Sequence, residues 1–141
     1  MTALSITKAN VSWAGVGPVS ADQIAGEAFD AGDMVYLKAS DSKWYKAQDD
    51  GTAEEAGSEG IGMALGTADA ANARVSIARP GAIVNLGTGT AGVVYCLGDT
   101  PGDLVPNADN GSGDKVTVVG LGIGSNKVQL AWVYNAGAVL A

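Results

Sequence analysis

No histidine occurs in this chain of 141 residues, and Cys96 is its only cysteine. The first absence excludes imidazole acid–base chemistry, His-based triads and His–metal sites. The second excludes a disulfide within the chain and any Cys-x-x-Cys motif. Aromatic residues make up 6% of the chain, with one phenylalanine. They lie too far from basic residues to form a stacking platform for nucleic acid. Basic charge is scarce too: eight Lys and Arg against 15 Asp and Glu leave a net charge of −7. That balance repels phosphate backbones, so no nucleic acid is expected as a partner. The longest run without charge, residues 80–98, contains Pro80, Asn85 and five glycines. A membrane helix needs about 20 predominantly apolar residues. The run therefore reads as two buried strands around a Gly/Thr turn, and no membrane association is expected. Residues 1–6 lack a basic start and Lys8 interrupts any apolar stretch, so no secretory leader is expected.

What the chain has in quantity is small and β-branched residues. It carries 24 Ala, 21 Gly and 15 Val, against nine Leu and six Ile. Val and Ile favour pleated surfaces, and Gly supplies turns and bulges. The composition predicts an all-β fold: a single compact β-barrel or sandwich with short turns and very little helix. At this length one domain is expected, large enough to hold a core without disulfide or metal.

Residues 33–38 and 43–47 read as a hairpin turning at Asp41-Ser42. Residues 60–66, 74–79, 83–86, 92–97, 104–106, 115–119 and 127–134 read as further strands. Residues 52–56 are expected to form one helical turn ended by Gly57.

Three blocks recur in the same order. Residues 31–37 (AGDMVYL) resemble 91–97 (AGVVYCL), 60 positions on; 62–67 resemble 120–125, 58 on; 74–78 resemble 127–131, 53 on. Shrinking offsets suit a duplicated β-unit with shortened loops. The halves are expected at about 26–80 and 81–141, with residues 1–25 as an extended N-terminal arm. In both copies an Ala-Gly pair precedes a strand, where Gly permits the positive φ of a turn. The Gly/apolar alternation at 60–66 and 120–124 puts small residues on one face, where another backbone or a partner can approach closely.

Candidate chemistry is thin. Gly87-Thr88-Gly89-Thr90-Ala91-Gly92 matches G-x-G-x-x-G, but strand-like Val93-Val94-Tyr95-Cys96-Leu97 follows where a dinucleotide site needs a helix. A hairpin turn is expected. The acidic stretches 49–51 and 109–114 lack the closing Glu of an EF-hand and read as plain turns. Cys96, in an apolar strand with no base to activate it, reads as a buried inert thiol. Glu54-Glu55 reads as a solvated pair. No catalytic, cofactor or metal site is expected, and an enzyme is not expected. Trp44-Tyr45, the only adjacent aromatic pair, is expected to close the 33–47 hairpin rather than stand exposed.

Taken together, residues 26–37, 42–47, 60–65, 85–87, 92–97 and 114–122 resemble the small decoration, or cement, proteins of tailed bacteriophage capsids. The resemblance covers about residues 26–134. It implies a structural virion protein on the outer surface of an icosahedral head, made in the host bacterial cytoplasm. It further implies a homotrimer that clamps neighbouring capsomers and meets the major capsid protein. The arm supplies the contact candidates: Ser5, Ile6, Thr7, Val11 and, as anchor, Trp13. Removing residues 1–13 is then expected to abolish capsid binding and leave the β-fold intact. The alternative is a head-fibre or adhesin base module that binds host-surface glycans.

Overall fold

The computed structural model describes residues 4–49, 52–106, 115–124 and 126–139; for 115–116 and 134–139 it describes the backbone. After a short 3₁₀ turn at Lys8–Asn10, all regular elements among the described residues are strands. These are β1 (Ser12–Val16), β2 (Val19–Ile24), β3 (Met34–Lys38), β4 (Lys43–Lys46), β5 (Ile61–Ala64) and β6 (Arg74–Ala78). The second half adds β7 (Ile83–Asn85), β8 (Val94–Leu97), β9 (Leu104–Pro106), β10 (Lys115–Gly124) and β11 (Lys127–Val139).

The strands form two antiparallel sheets packed face to face. Sheet 1 has the order β2-β6-β5-β3-β4, and sheet 2 the order β1-β7-β11-β10-β8-β9. Each sheet keeps its own edges, so of the two expected architectures the fold is the sandwich. Adding five to each strand number of sheet 1 yields β7-β11-β10-β8-β9, which is sheet 2 without β1. The two halves thus share one topology, and the first half reaches back to Val19.

Register repeats with topology. Tyr36 pairs with Tyr45, and 60 positions on Cys96 pairs with Val105. Met34 pairs with Met63 as Val94 pairs with Leu121. The turn before each strand repeats as well. Gly32 donates to the Ala64 carbonyl at 2.9 Å, and Gly92 to the Gly122 carbonyl at 2.7 Å. Both glycines have positive φ, +95° and +83°, which a Cβ would strain. One block departs from its sequence offset. Ala64 pairs with Ile77, and its counterpart Gly122 with Val128, which sets β6 and β11 at 51 rather than 53 positions apart. A shift of two leaves every side chain on its own face.

The main core lies between the sheets. Met34, Tyr36, Ile61, Met63 and Ala78 of sheet 1 meet Val84, Tyr95, Leu97, Leu104, Val119, Val128 and Leu130 of sheet 2. A second core covers the other side of sheet 1. There Val35, Trp44, Ala64, Val75 and Ile77 pack under Ala25, Phe29 and Ala68, which belong to the loops at 25–33 and 65–73. Phe29 and Ala68 hold those two loops together through a pair of backbone hydrogen bonds at 3.0 and 2.8 Å. With apolar groups on both faces, β3 shows no clean alternation in sequence.

The expected helical turn is present. Thr52 and Glu55 form a reciprocal cap: the Glu55 N–H donates to Thr52 Oγ1 and the Thr52 N–H to Glu55 Oε1, both at 3.2 Å. Gly57 ends the turn at φ +93°. Thr117 Oγ1 donates to the Ala56 carbonyl and Trp132 Nε1 to the Gly57 carbonyl, both at 2.8 Å. These bonds tie the turn to sheet 2.

Candidate interaction surface

The stretch read as an arm is extended and runs along the edges of both sheets. β1 pairs with β7, and β2 pairs with β6. Gly17 and Pro18 separate the two strands, as their breaker character requires. The five candidate residues divide into two groups. Ile6 and Val11 turn inward: a Cβ on Gly32 would stand 2.7 Å from Ile6 Cγ2 and 3.0 Å from Val11 Cγ2. Leu4, Ile6 and Val11 pack on the main core, and the Leu4 N–H donates to the Leu104 carbonyl at 2.9 Å. Loss of residues 1–13 would therefore open that core. Ser5, Thr7 and Trp13 are exposed. The Trp13 indole N–H donates to the Val16 carbonyl at 2.9 Å, which fixes the ring on the outer strand of sheet 2.

Exposed large apolar residues are confined to one sheet. Among the described residues the exposed large hydrophobics are Trp13, Val16, Val94, Leu121, Ile123, Trp132 and Val133. Every one belongs to sheet 2. Pairing across the strands places Val94, Leu121, Gln129 and Ile83 in one row, and Val118 and Val133 in the next. Both rows are on the outer face, since the neighbouring Tyr95, Val128 and Leu130 point into the core. The strands of sheet 2 contain no Asp or Glu; their charges are Lys115 and Lys127. Grouped apolar residues of this kind mark interaction sites, whereas scattered ones are ordinary.

Sequence reasoning singled out the glycines of 120–124 and passed over the residues between them. Gly120 gives room to the next strand: an added Cβ would meet Val128 Cγ1 at 2.6 Å. Gly122 gives room to a loop, with the Thr90 carbonyl oxygen 2.0 Å from the same position. The close approach is thus made by the chain itself. The usable signal was the complementary set, Leu121 and Ile123, pointing the other way.

The remaining candidates are structural. Trp44 is 0% exposed; its indole N–H donates to Gln23 Oε1 at 3.0 Å, and the Arg79 guanidinium lies 5.1 Å from the ring centre. Tyr45 stacks on Tyr36 and donates to Asp41. The 87–92 glycines do not close the expected hairpin, because β11 and β10 lie between β7 and β8; they form a turn into β8, with Tyr95 Oη accepting from the Thr90 N–H at 3.0 Å. Cys96 is buried. The stretches 50–51 and 109–114 lie outside the described residues; Asp49 is buried and donates its N–H to the Gly98 carbonyl at 3.0 Å.

A shallow polar depression of about 310 Å³ is lined by Lys8, Phe29, Asp30, Asp33, Lys46 and Asp69, among others. Lys8 and Asp30 approach to 3.7 Å. Burial, with Asp30 and Asp103 nearby, raises the Asp33 carboxyl above its ordinary range, although the Asp30 N–H and Lys46 oppose this. Among the described residues, no group of three or more Cys, Asp or Glu is placed to hold a metal ion. No helix among them is long and apolar enough to cross a membrane. Compared with known proteins, the chain matches no family model, no curated protein and no solved structure.

Proposed function

We propose that this protein is a structural component of a tailed-phage virion that decorates the outside of the icosahedral head and clamps neighbouring capsomers as a trimer. The carrying observation is the one-sided surface. Sheet 1 is sealed under its own loops, while sheet 2 presents every exposed large hydrophobic of the described residues. Such a molecule is suited to contact with other protein surfaces. The acidic remainder suits a position outside the shell, away from packaged DNA.

The mechanism is cooperative ligation. Each subunit's contact is small, but three linked contacts raise one another's effective concentration and increase avidity by roughly 10² to 10⁴. A ligand that binds only the closed shell opposes capsomer separation by mass action. Trp13, exposed at the edge of sheet 2, serves as the shell anchor, and Ser5 and Thr7 are exposed as well. The glycan-binding alternative is favoured by exposed aromatics on one face; Trp44 is buried, and Trp13 and Trp132 are the exposed tryptophans among the described residues.

Cosedimentation of the purified protein with undecorated heads tests the proposal. Saturable binding at a fixed ratio to the major shell protein, weakened by Trp13→Ala, is the expected result. Heads that take up no protein at any concentration would overturn it. Unchanged binding by the variant would remove Trp13 from the contact.

A further inference from the structure

We infer that the outer face of sheet 2, centred on Val94, Leu121 and Val133, is where copies of this chain meet. The inference rests on the trimeric reading above and assigns its contact.

The internal duplication points to this face. Val94 and Leu121 occupy the register positions that Met34 and Met63 hold in sheet 1. Met34 and Met63 are 1% and 0% exposed, buried against sheet 2. Their counterparts Val94 and Leu121 are 37% and 41% exposed. The two units therefore stack in the same sense. The side of the unit that is covered in sheet 1 is left open in sheet 2 at Val94, Leu121 and Val133, while Cys96 and Val105 on the same side are buried. Continuing the stack with the next molecule's sheet 1 is blocked, because its outer face lies beneath the loops at 25–33 and 65–73. The inner face of sheet 2 is already occupied by sheet 1. Between two copies, the open apolar sheet faces are thus the two outer faces of sheet 2.

Charge selects the same occupant. Each copy carries −7, so most encounters between copies are repulsive. The strands of sheet 2 hold none of the 15 carboxylates. This is the face on which two copies can approach without opposing like charges of that sign. Three such faces turned toward a common axis bury Leu121 and Val133 and leave the edge strand β1, with Trp13, directed outward.

The test is the mass of the full chain by light scattering, measured across a concentration series. The variants are Leu121→Asp and Val133→Lys, with Arg74→Asp on the exposed rim of sheet 1 as control. Both positions are exposed, so the sandwich core stays intact, and circular dichroism checks that it does. The wild type is expected at about three times its 14.0 kDa. Each face variant should weaken self-association by about 30-fold or more, the effect of losing a central interface residue. The control should leave the mass unchanged. A monomeric wild type, or face variants that keep the assembled mass, would overturn the inference. Head binding by a monomeric wild type would do so while leaving decoration standing. Assembly through this face without head binding would overturn decoration and uphold the inference. A dimer dissolved by the face variants would uphold the contact and overturn the trimer.

Discussion

Gly120 pairs with Tyr95 and Leu130 in the middle of sheet 2, and a Cβ there would meet Val128 Cγ1 at 2.6 Å. Val128 is β-branched, held by one strong χ1 preference, and 0% exposed. It cannot swing aside. Gly120→Ala should therefore cost about 1–3 kcal/mol in overpacking. Loss of glycine's extra freedom in the unfolded chain returns about 0.4–1 kcal/mol, leaving a net cost of about 1–2 kcal/mol. Val128→Ala alone removes two buried methyl groups and should cost about 2 kcal/mol. In the double variant the new methyl fills part of the space the old ones vacate. The double variant should thus be less destabilised than the two single costs together, by about 1 kcal/mol. Urea unfolding of the four proteins measures this coupling. Costs that add to within about 0.3 kcal/mol would refute the packing argument. The equivalent pair in sheet 1 should behave differently. A Cβ on Gly62 meets Ile77 Cγ2 at 2.4 Å and also the Ala78 carbonyl oxygen at 2.7 Å. Ile77→Ala removes the first obstacle and leaves the second, so it should not rescue Gly62→Ala to the same degree.

Other outcomes follow from the same structure. Trp44→Ala empties the second core and strands the Arg79 guanidinium, so it should cost about 3–5 kcal/mol in urea unfolding. Thr52→Ala removes the cap on the 52–57 turn and should cost about 1 kcal/mol, whereas Thr52→Ser should be nearly neutral. Burial, reinforced by Glu55, Glu54 and Glu27, pushes the Tyr36 phenol up to about 12 from an ordinary 10.0. The folded state thus holds this proton more tightly than the unfolded chain, so its contribution is complete below pH 10 and is lost as pH rises toward 12. Alkaline unfolding of the wild type should show a loss of stability across that window that Tyr36→Phe does not show.

Much of the fold was legible because strand and turn chemistry are local. Asp41 accepts the Lys43 N–H at 3.0 Å and Ser42 takes φ +58°, which is the hairpin that the residue types announce. The paired Ala-Gly turns at 31–32 and 91–92 revealed the duplication. Sandwich against barrel was not legible, because β3 and β5 bury both faces and carry no alternation from which to read a layer. The membership of β2 in the first half was hidden for another reason. Val19–Ile24 is polar and irregular, and its place is set by pairing with β6. The two-residue difference between 53 and 51 lay beyond sequence matching, since either alignment sets β-branched residues against each other. Among the site candidates, Ile6 and Val11 were apolar in an extended segment, and sequence offers no way to tell which way such residues turn. The outer face of sheet 2 was missed because Val, Leu and Ile between glycines look the same whether buried or bare.

The central claim is that this chain works as a many-copy surface component of a phage head. Quantitative gel analysis of purified virions measures it most directly, by comparing the band near 14.0 kDa with that of the major shell protein. A copy number approaching that of the shell protein is the expected result. A few copies per particle, or none, would contradict it.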